Sequence, residues 1–275
     1  MDTVHNFSYG LLNPGLAYAT SCLGAFLGLR CVTIARVYEG RAKARWLVMA
    51  AVSLGAIGIW TMHFVAMLGF SVPGETIRYN VPVTVGSMLL AVVVVGVGLF
   101  IVGYAPADSP LGGWPHLIAG GVIVGLGVAA MHYMGMAGMS MSGSMSYSLP
   151  LVLLSLVIAV VAGTTSLWIG TWIRGVTATI EAAFVMGAAV SGMHYTAMGA
   201  LRVSGGTMPN MAVSAADGTA TVPGATAAEF LIPVLLVIGL ATFLLTLAIS
   251  VSPSEDEVRT DAELQRRLEQ LSRRG

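Results

Sequence analysis

Charge is what this sequence lacks. Charged residues make up 9% of its 275, against about 25% in a soluble domain. Between Trp46 and Ser252 there are three basic groups (Arg78, Arg174, Arg202) and five acidic ones (Glu75, Asp108, Glu181, Asp217, Glu229). Apolar runs of that length cannot be held in water. This excludes a soluble globule, a disordered chain and a nucleic-acid binder with a basic surface. Lysine is scarcer still: the single Lys43 lies in a connection, so no intramembrane amine can form a retinal Schiff base. Cysteine offers no disulfide framework. Cys22 and Cys31 stand on one expected helix about 13 Å apart, beyond the roughly 4.4–6.8 Å that separates disulfide-bonded Cα atoms. The first ten residues contain no basic n-region and do contain Asp2, so the first apolar run is expected to stay in the mature protein. No nucleophile with a positioned base stands out, and the chain is not expected to be an enzyme.

What is present is seven apolar runs of membrane-crossing length, near Asn13–Ile34, Trp46–Phe70, Val83–Tyr104, His116–Met139, Leu149–Ile173, Thr177–Leu201 and Glu229–Val251. They predict an all-α membrane protein, because these runs are too long for barrel strands. Arg30, Arg36, Arg41, Lys43 and Arg45 surround the first connection, Arg174 marks the fifth, and five arginines lie in the C-terminal tail. By the positive-inside bias the N-terminus is expected outside and the C-terminus inside the plasma membrane. Glu181, one turn into the sixth span, is expected at the interface within reach of Arg174. Residues 1–251 are expected to form one seven-helix domain, with 252–275 a short cytoplasmic tail.

One pattern occurs three times: Met62-His63-Phe64-Val65-Ala66-Met67, Met131-His132-Tyr133-Met134-Gly135-Met136 and Met193-His194-Tyr195-Thr196-Ala197-Met198. The histidines are 69 and 62 residues apart, one pair of spans each, so the chain reads as three helical hairpins and a closing seventh helix. Each histidine lies seven residues before the expected outer end of its span, about 10 Å deep at 1.5 Å per residue. Met67, Met136 and Met198 follow at i+4 and share a face with their histidines. Met62, Met131 and Met193 precede them and point about 100° away. Convergence of the three helices would place a methionine ring outside a histidine ring.

Imidazole suits copper, zinc, iron and nickel, and thioether sulfur selects copper(I). Copper, one or two ions, matches this set best; haem, with His/His or His/Met axial ligands, is the alternative cofactor. Met134, Met139, Met141, Met145, Met208 and Met211 extend the soft-ligand set into the outer connections as an exposed run. A lone membrane histidine is usually a packing residue, and glycines such as Gly55, Gly58, Gly125, Gly127, Gly187 and Gly192 would allow such packing. Three copies at one depth favour a site.

The three motifs, their places on alternate spans and the seven spans resemble the MHYT domain, a bacterial integral-membrane sensor module. Met193-His194-Tyr195-Thr196 spells the full signature; Phe64 stands for tyrosine in the first copy and Met134 for threonine in the second. The resemblance implies copper held near the outer face by motif methionine, histidine and tyrosine, and sensing of oxygen, carbon monoxide or nitric oxide. It also implies a signalling output, expected here from a separate cytoplasmic or membrane partner docking on the inner connections and on a helix over Asp261–Arg274. A copper(I) transporter and a metal-free structural subunit are the competing readings.

Overall fold

The computed structural model describes residues 10–72, 77–105, 113–141, 144–204 and 224–252. Seven helices are long and apolar enough to cross a membrane: α1 Leu12–Ala35, α2 Gly40–Met67, α3 Val81–Gly103, α4 Trp114–Ala137, α5 Leu149–Trp172, α6 Val176–Ala200 and α7 Ala227–Ser250. The expected spans are recovered to within a few residues, save at the start of α2. That helix begins six residues before Trp46 and takes Arg41, Lys43 and Arg45 into its first turns. Long basic side chains can lie along a helix at a membrane boundary with their charges in water, so the charge marks the boundary and not the helix end.

Helices α1 to α6 form a closed ring in chain order, each packed on its neighbours, with α6 returning to α1. Helix α7 leans on the outside against α1 and α2. Helix α2 is the innermost, and its middle is not α-helical. Residues Ser53–Trp60 wind as a π-helix, and Thr61 donates through both its backbone N–H and its Oγ1 to the carbonyl of Ala56, five residues back. The wider turn fits where α1 and α2 touch backbone to backbone. A Cβ on Gly24 would lie 2.2 Å from the nitrogen of Gly58, and Ser53 Oγ donates to the Gly24 carbonyl at 2.9 Å. Small residues make that approach possible. The apolar periodicity of the segment carries no mark of the extra residue per turn. Of the glycines expected at close contacts, Gly55, Gly125, Gly127 and Gly187 are pressed against neighbouring helices, whereas Gly192 faces open space.

At the end of the bundle where α2, α4 and α6 finish, short antiparallel pairs tie their connections together. Strand β1 (Arg78–Tyr79, after α2) pairs with β2 (Met139–Ser140, after α4), and β3 (Ser144–Tyr147, after α4) pairs with β4 (Leu201–Ser204, after α6). Tyr79 also bridges Ala225, just before α7. Helix α7 opens with a capping box in which Thr226 and Glu229 each accept from the other's backbone N–H, satisfying two otherwise orphaned donors. These pairings lie outside the spans, in segments too short for a period-two pattern to reveal them.

At the opposite end, Arg36 of α1 donates to the carbonyls of Gly170 and Ile173 at the end of α5, closing the ring across the basic connections. Glu181 is exposed in the second turn of α6. Cys31 is buried and Cys22 half-buried, both as free thiols, as expected of packing residues.

Candidate metal centre

The three motif histidines meet. His63, His132 and His194, from α2, α4 and α6, are each buried to 1% exposure. Their Nδ1 atoms form a triangle with sides of 3.0, 3.1 and 3.3 Å. The ring centroids are 4.8, 5.0 and 5.1 Å apart, further than the nitrogens, so the rings radiate from the triangle. Their planes cross at 78–80°, like the blades of a propeller. Among the described residues this is the one group of three or more histidine, cysteine, aspartate or glutamate side chains placed to hold a metal ion.

A neutral imidazole carries one N–H and one lone pair. Two or more N–H bonds aimed at one centre would crowd their hydrogens there, so at least two of the Nδ1 atoms present lone pairs, with at most one proton to share between them. Buried acceptors left without a donor cost about 1–3 kcal/mol each. A small cation at the centre would satisfy all three. The centre lies about 1.8 Å from each nitrogen, close to the roughly 2.0–2.1 Å of a zinc–imidazole bond, so these three nitrogens would hold an ion with little movement of the rings. The donor set and its spacing fit a metal ion.

With Nδ1 facing the centre as a ligand, Nε2 carries the proton. Among the described residues His63 Nε2 and His132 Nε2 have no hydrogen-bond partner. His63 Nε2 rests against Gly135, where a Cβ would come within 2.7 Å. That glycine, the small position of the second motif, is what lets the first imidazole reach the axis.

The flanking motif residues form layers. Met67, Met136 and Met198 are buried on the same helix faces as the histidines, one turn nearer the β pairs, about 6 Å along the axis. One turn the other way, at i−4, stand Ile59, Val128 and Val190, which line an apolar cavity on the bundle axis. The i−1 methionines are buried elsewhere. Met62 packs with Ala17, Val65 and Ala66, Met193 lines the axial cavity, and Met131 sits in the main core. The run beyond the motif is less open than expected. Met139 is buried and Met134, Met141 and Met145 are half-buried, because β2 and β3 fold back over the helix ends. Met208 and Met211 lie outside the described residues, as does Asp261–Arg274.

The aromatic after each histidine acts as a wall. Phe64, Tyr133 and Tyr195 each meet their own histidine edge to face, at 4.7, 5.0 and 4.9 Å between centroids. The Tyr133 hydroxyl shares a hydrogen bond with Ser155 Oγ of α5 at 2.9 Å. A residue at i+1 points about 100° away from the axis, which is why phenylalanine serves in the first copy. Sequence reasoning missed Trp60. Its Nε1 donates to the Thr84 carbonyl and to Ser87 Oγ at 3.2 and 3.0 Å, and its ring lies 4.6 Å from Phe64. It pins α2 to α3 just below His63. A tryptophan three residues before the histidine, seen in one copy alone, gave no repeat signal.

A family profile described as "MHYT: Bacterial signalling protein N terminal repeat" matches residues 57–111 and again 125–182, stretches that contain the first two motif copies. The chain is 35% identical over 259 residues to the bifunctional diguanylate cyclase/cyclic di-GMP phosphodiesterase MucR of Pseudomonas aeruginosa, covering 92% of this chain and 35% of that protein. It is 35% identical over 208 residues to the cyclic di-GMP phosphodiesterase NbdA of the same organism, covering 73% and 25%. To the signaling protein YkoW of Bacillus subtilis it is 28% identical over 197 residues, covering 66% and 23%. The chain thus spans about a third or less of the length of these relatives. No solved structure gives a significant match.

Proposed function

The chain belongs to the MHYT family of bacterial signalling proteins, and from that premise we propose that it senses through a copper ion held by His63, His132 and His194. That it is a multi-pass inner-membrane protein with a sensor role follows from the family and the seven helices; the ion and its ligands are the proposal. The observation that carries it is the Nδ1 triangle, whose sides suit a bound cation and penalise an empty centre. The buried layer of Met67, Met136 and Met198 supports copper(I) over zinc, because thioethers favour soft metals. Imidazoles this close leave no room for a porphyrin between them, which favours a bare ion over haem. Met62, Met131 and Met193 then serve as packing and not as ligands.

With the basic connections inside, the triad lies near the outer face, under the paired strands. A change in the ligand or oxidation state of the ion would alter what the three helices share and shift their packing. The output is proposed to be a cyclic-di-GMP enzyme, by likeness to MucR and NbdA, linked to this domain or docked on its inner connections. Transport is a weaker reading. A copper ion leaving the triad inward would have to cross the apolar layer of Ile59, Val128 and Val190.

The test is metal analysis of protein purified in mild detergent, with X-ray absorption on the bound metal. Copper with three nitrogen neighbours supports the proposal. Equal copper in a variant with all three histidines replaced would overturn it.

A further inference from the structure

All six ring helices contribute to one cavity of about 60 Å³ on the bundle axis, one turn from the histidine triad. Ser21 and Ser166 are the only side chains with a polar oxygen among its lining residues. A water held in such a space needs two to four polar partners, and apolar cavities stay dry and take up apolar guests. The space exceeds the roughly 10–15 Å³ that one water-sized probe occupies, and so has room for a molecule of a few atoms.

A second space lies beside the cavity. A groove between α5 and α6 opens on the lipid-facing surface beside Val157, Val161 and Val185, all exposed. Groove and cavity share three lining residues, Ala162, Ser166 and Met186. Ala162 is the smallest of the three, and Met186 is an unbranched thioether that changes rotamer readily. At the far end of the cavity, Ile59, Val128 and Val190 form the layer beneath the imidazoles, each four residues before its histidine.

We infer that this cavity is a binding chamber for a small apolar molecule of two or three atoms, admitted from the bilayer between α5 and α6 past Ala162 and Met186. The occupant follows from the lining: the chamber is too small for an acyl chain, and with two serine hydroxyls among otherwise apolar side chains and no charged group it offers little to hold water or an ion. Its route opens on hydrocarbon, where apolar solutes concentrate. The chamber does not depend on a metal. Its use as the approach to the triad rests on the copper reading above.

Xenon is the probe. Metal-free protein in lipid nanodiscs is titrated with xenon, and saturation-transfer NMR measures occupancy and exchange. Wild type is expected to show one saturable site distinct from xenon dissolved in lipid. Ala162→Phe should slow exchange several-fold and Met186→Ala should speed it several-fold, with helical content and size-exclusion profile checked first. Ala162→Leu gives a smaller block should the phenylalanine fail to fold. Absence of a saturable site, or exchange indifferent to both positions, overturns the inference. In copper-loaded protein the rate of carbon monoxide arrival should follow the same order. Should xenon respond and carbon monoxide not, the chamber stands and the copper reading falls.

Discussion

His63 Nδ1 lies 3.0 Å from His194 Nδ1 although 131 residues separate them. Helices α2 and α6 barely touch elsewhere, since the ring of helices runs in chain order. The contact is made by two side chains pointing to one axis, with His132 completing the set. It exists because each histidine has the same depth and an inward face, and it places like atoms in opposition.

That opposition has a thermodynamic signature. A single His132→Leu replacement should leave the metal-free protein as stable as wild type or more so, because it removes an acceptor facing acceptors. Copper should then raise the melting temperature of wild type and not of the variant. At a free metal concentration of a hundred times Kd the linkage is about 2.7 kcal/mol. Thermal unfolding in detergent, with and without copper, measures both. A strong loss of stability in metal-free His132→Leu would contradict the account of the triangle.

The methionine layer should select the metal and not build the fold. Met67→Leu, Met136→Leu and Met198→Leu are close in volume and should each cost less than about 1.5 kcal/mol. The triple variant is expected to bind copper(I) more weakly while its zinc affinity is unchanged. Competition with chelators for the two metals reads the difference, and a parallel fall in both would point to packing alone.

Gly135→Ala tests the approach of His63. The added methyl would meet Nε2 at 2.7 Å, too close for any real Cβ, and the ring or helix α4 must shift. Disturbing what orients a metal-bound histidine typically costs 10–100-fold in affinity, and a loss of that order is expected here. Gly192→Ala, which meets nothing within 4 Å, is the control and should bind as wild type does.

Tyr133→Phe should keep the metal. Its hydroxyl is directed to Ser155 and its ring to His132, so the replacement loses one hydrogen bond, worth about 1 kcal/mol of stability. Copper content and absorption edge are expected to match wild type. A lost or altered copper signal would make the phenol a ligand, as the family resemblance implies.

A pH effect is expected at α7. Hydrogen bonds from the Thr226 backbone N–H, and then from its hydroxyl, hold the exposed Glu229 carboxyl below the usual carboxylate range. A lowered folded value contributes stability above the unfolded pKa, and that stability is lost as pH falls through the folded one. Fraying of the first turn of α7 should therefore grow as pH falls through and below the ordinary carboxylate range. Amide exchange referenced to Glu229→Gln, which lacks the titration, isolates the effect.

Much of the protein is written in local pattern. Scarcity of charge and run length determine seven spans, since the bilayer admits little else. Repetition of Met-His-aromatic-x-small-Met places three imidazoles at one depth, and i+4 spacing puts Met67, Met136 and Met198 on their faces. These are properties of a single helix, and one helix suffices to read them.

Azimuth and partnership are not local, and only the packed ring decides them. Which imidazole nitrogen faces the axis depends on side-chain rotamers fixed by neighbours such as Gly135 and Phe64. The π-helical turns of α2 arise where α1 crowds Gly58, a contact between segments that no periodicity records. The strands over the motif end form because three helix ends are already close together. Ile59, Val128 and Val190 read as ordinary apolar positions until their i−4 relation to three converged histidines makes them the floor of a site. The sequence determined how deep the histidines lie; the tertiary structure decided that they meet through Nδ1, because only packing sets the rotation of one helix against another.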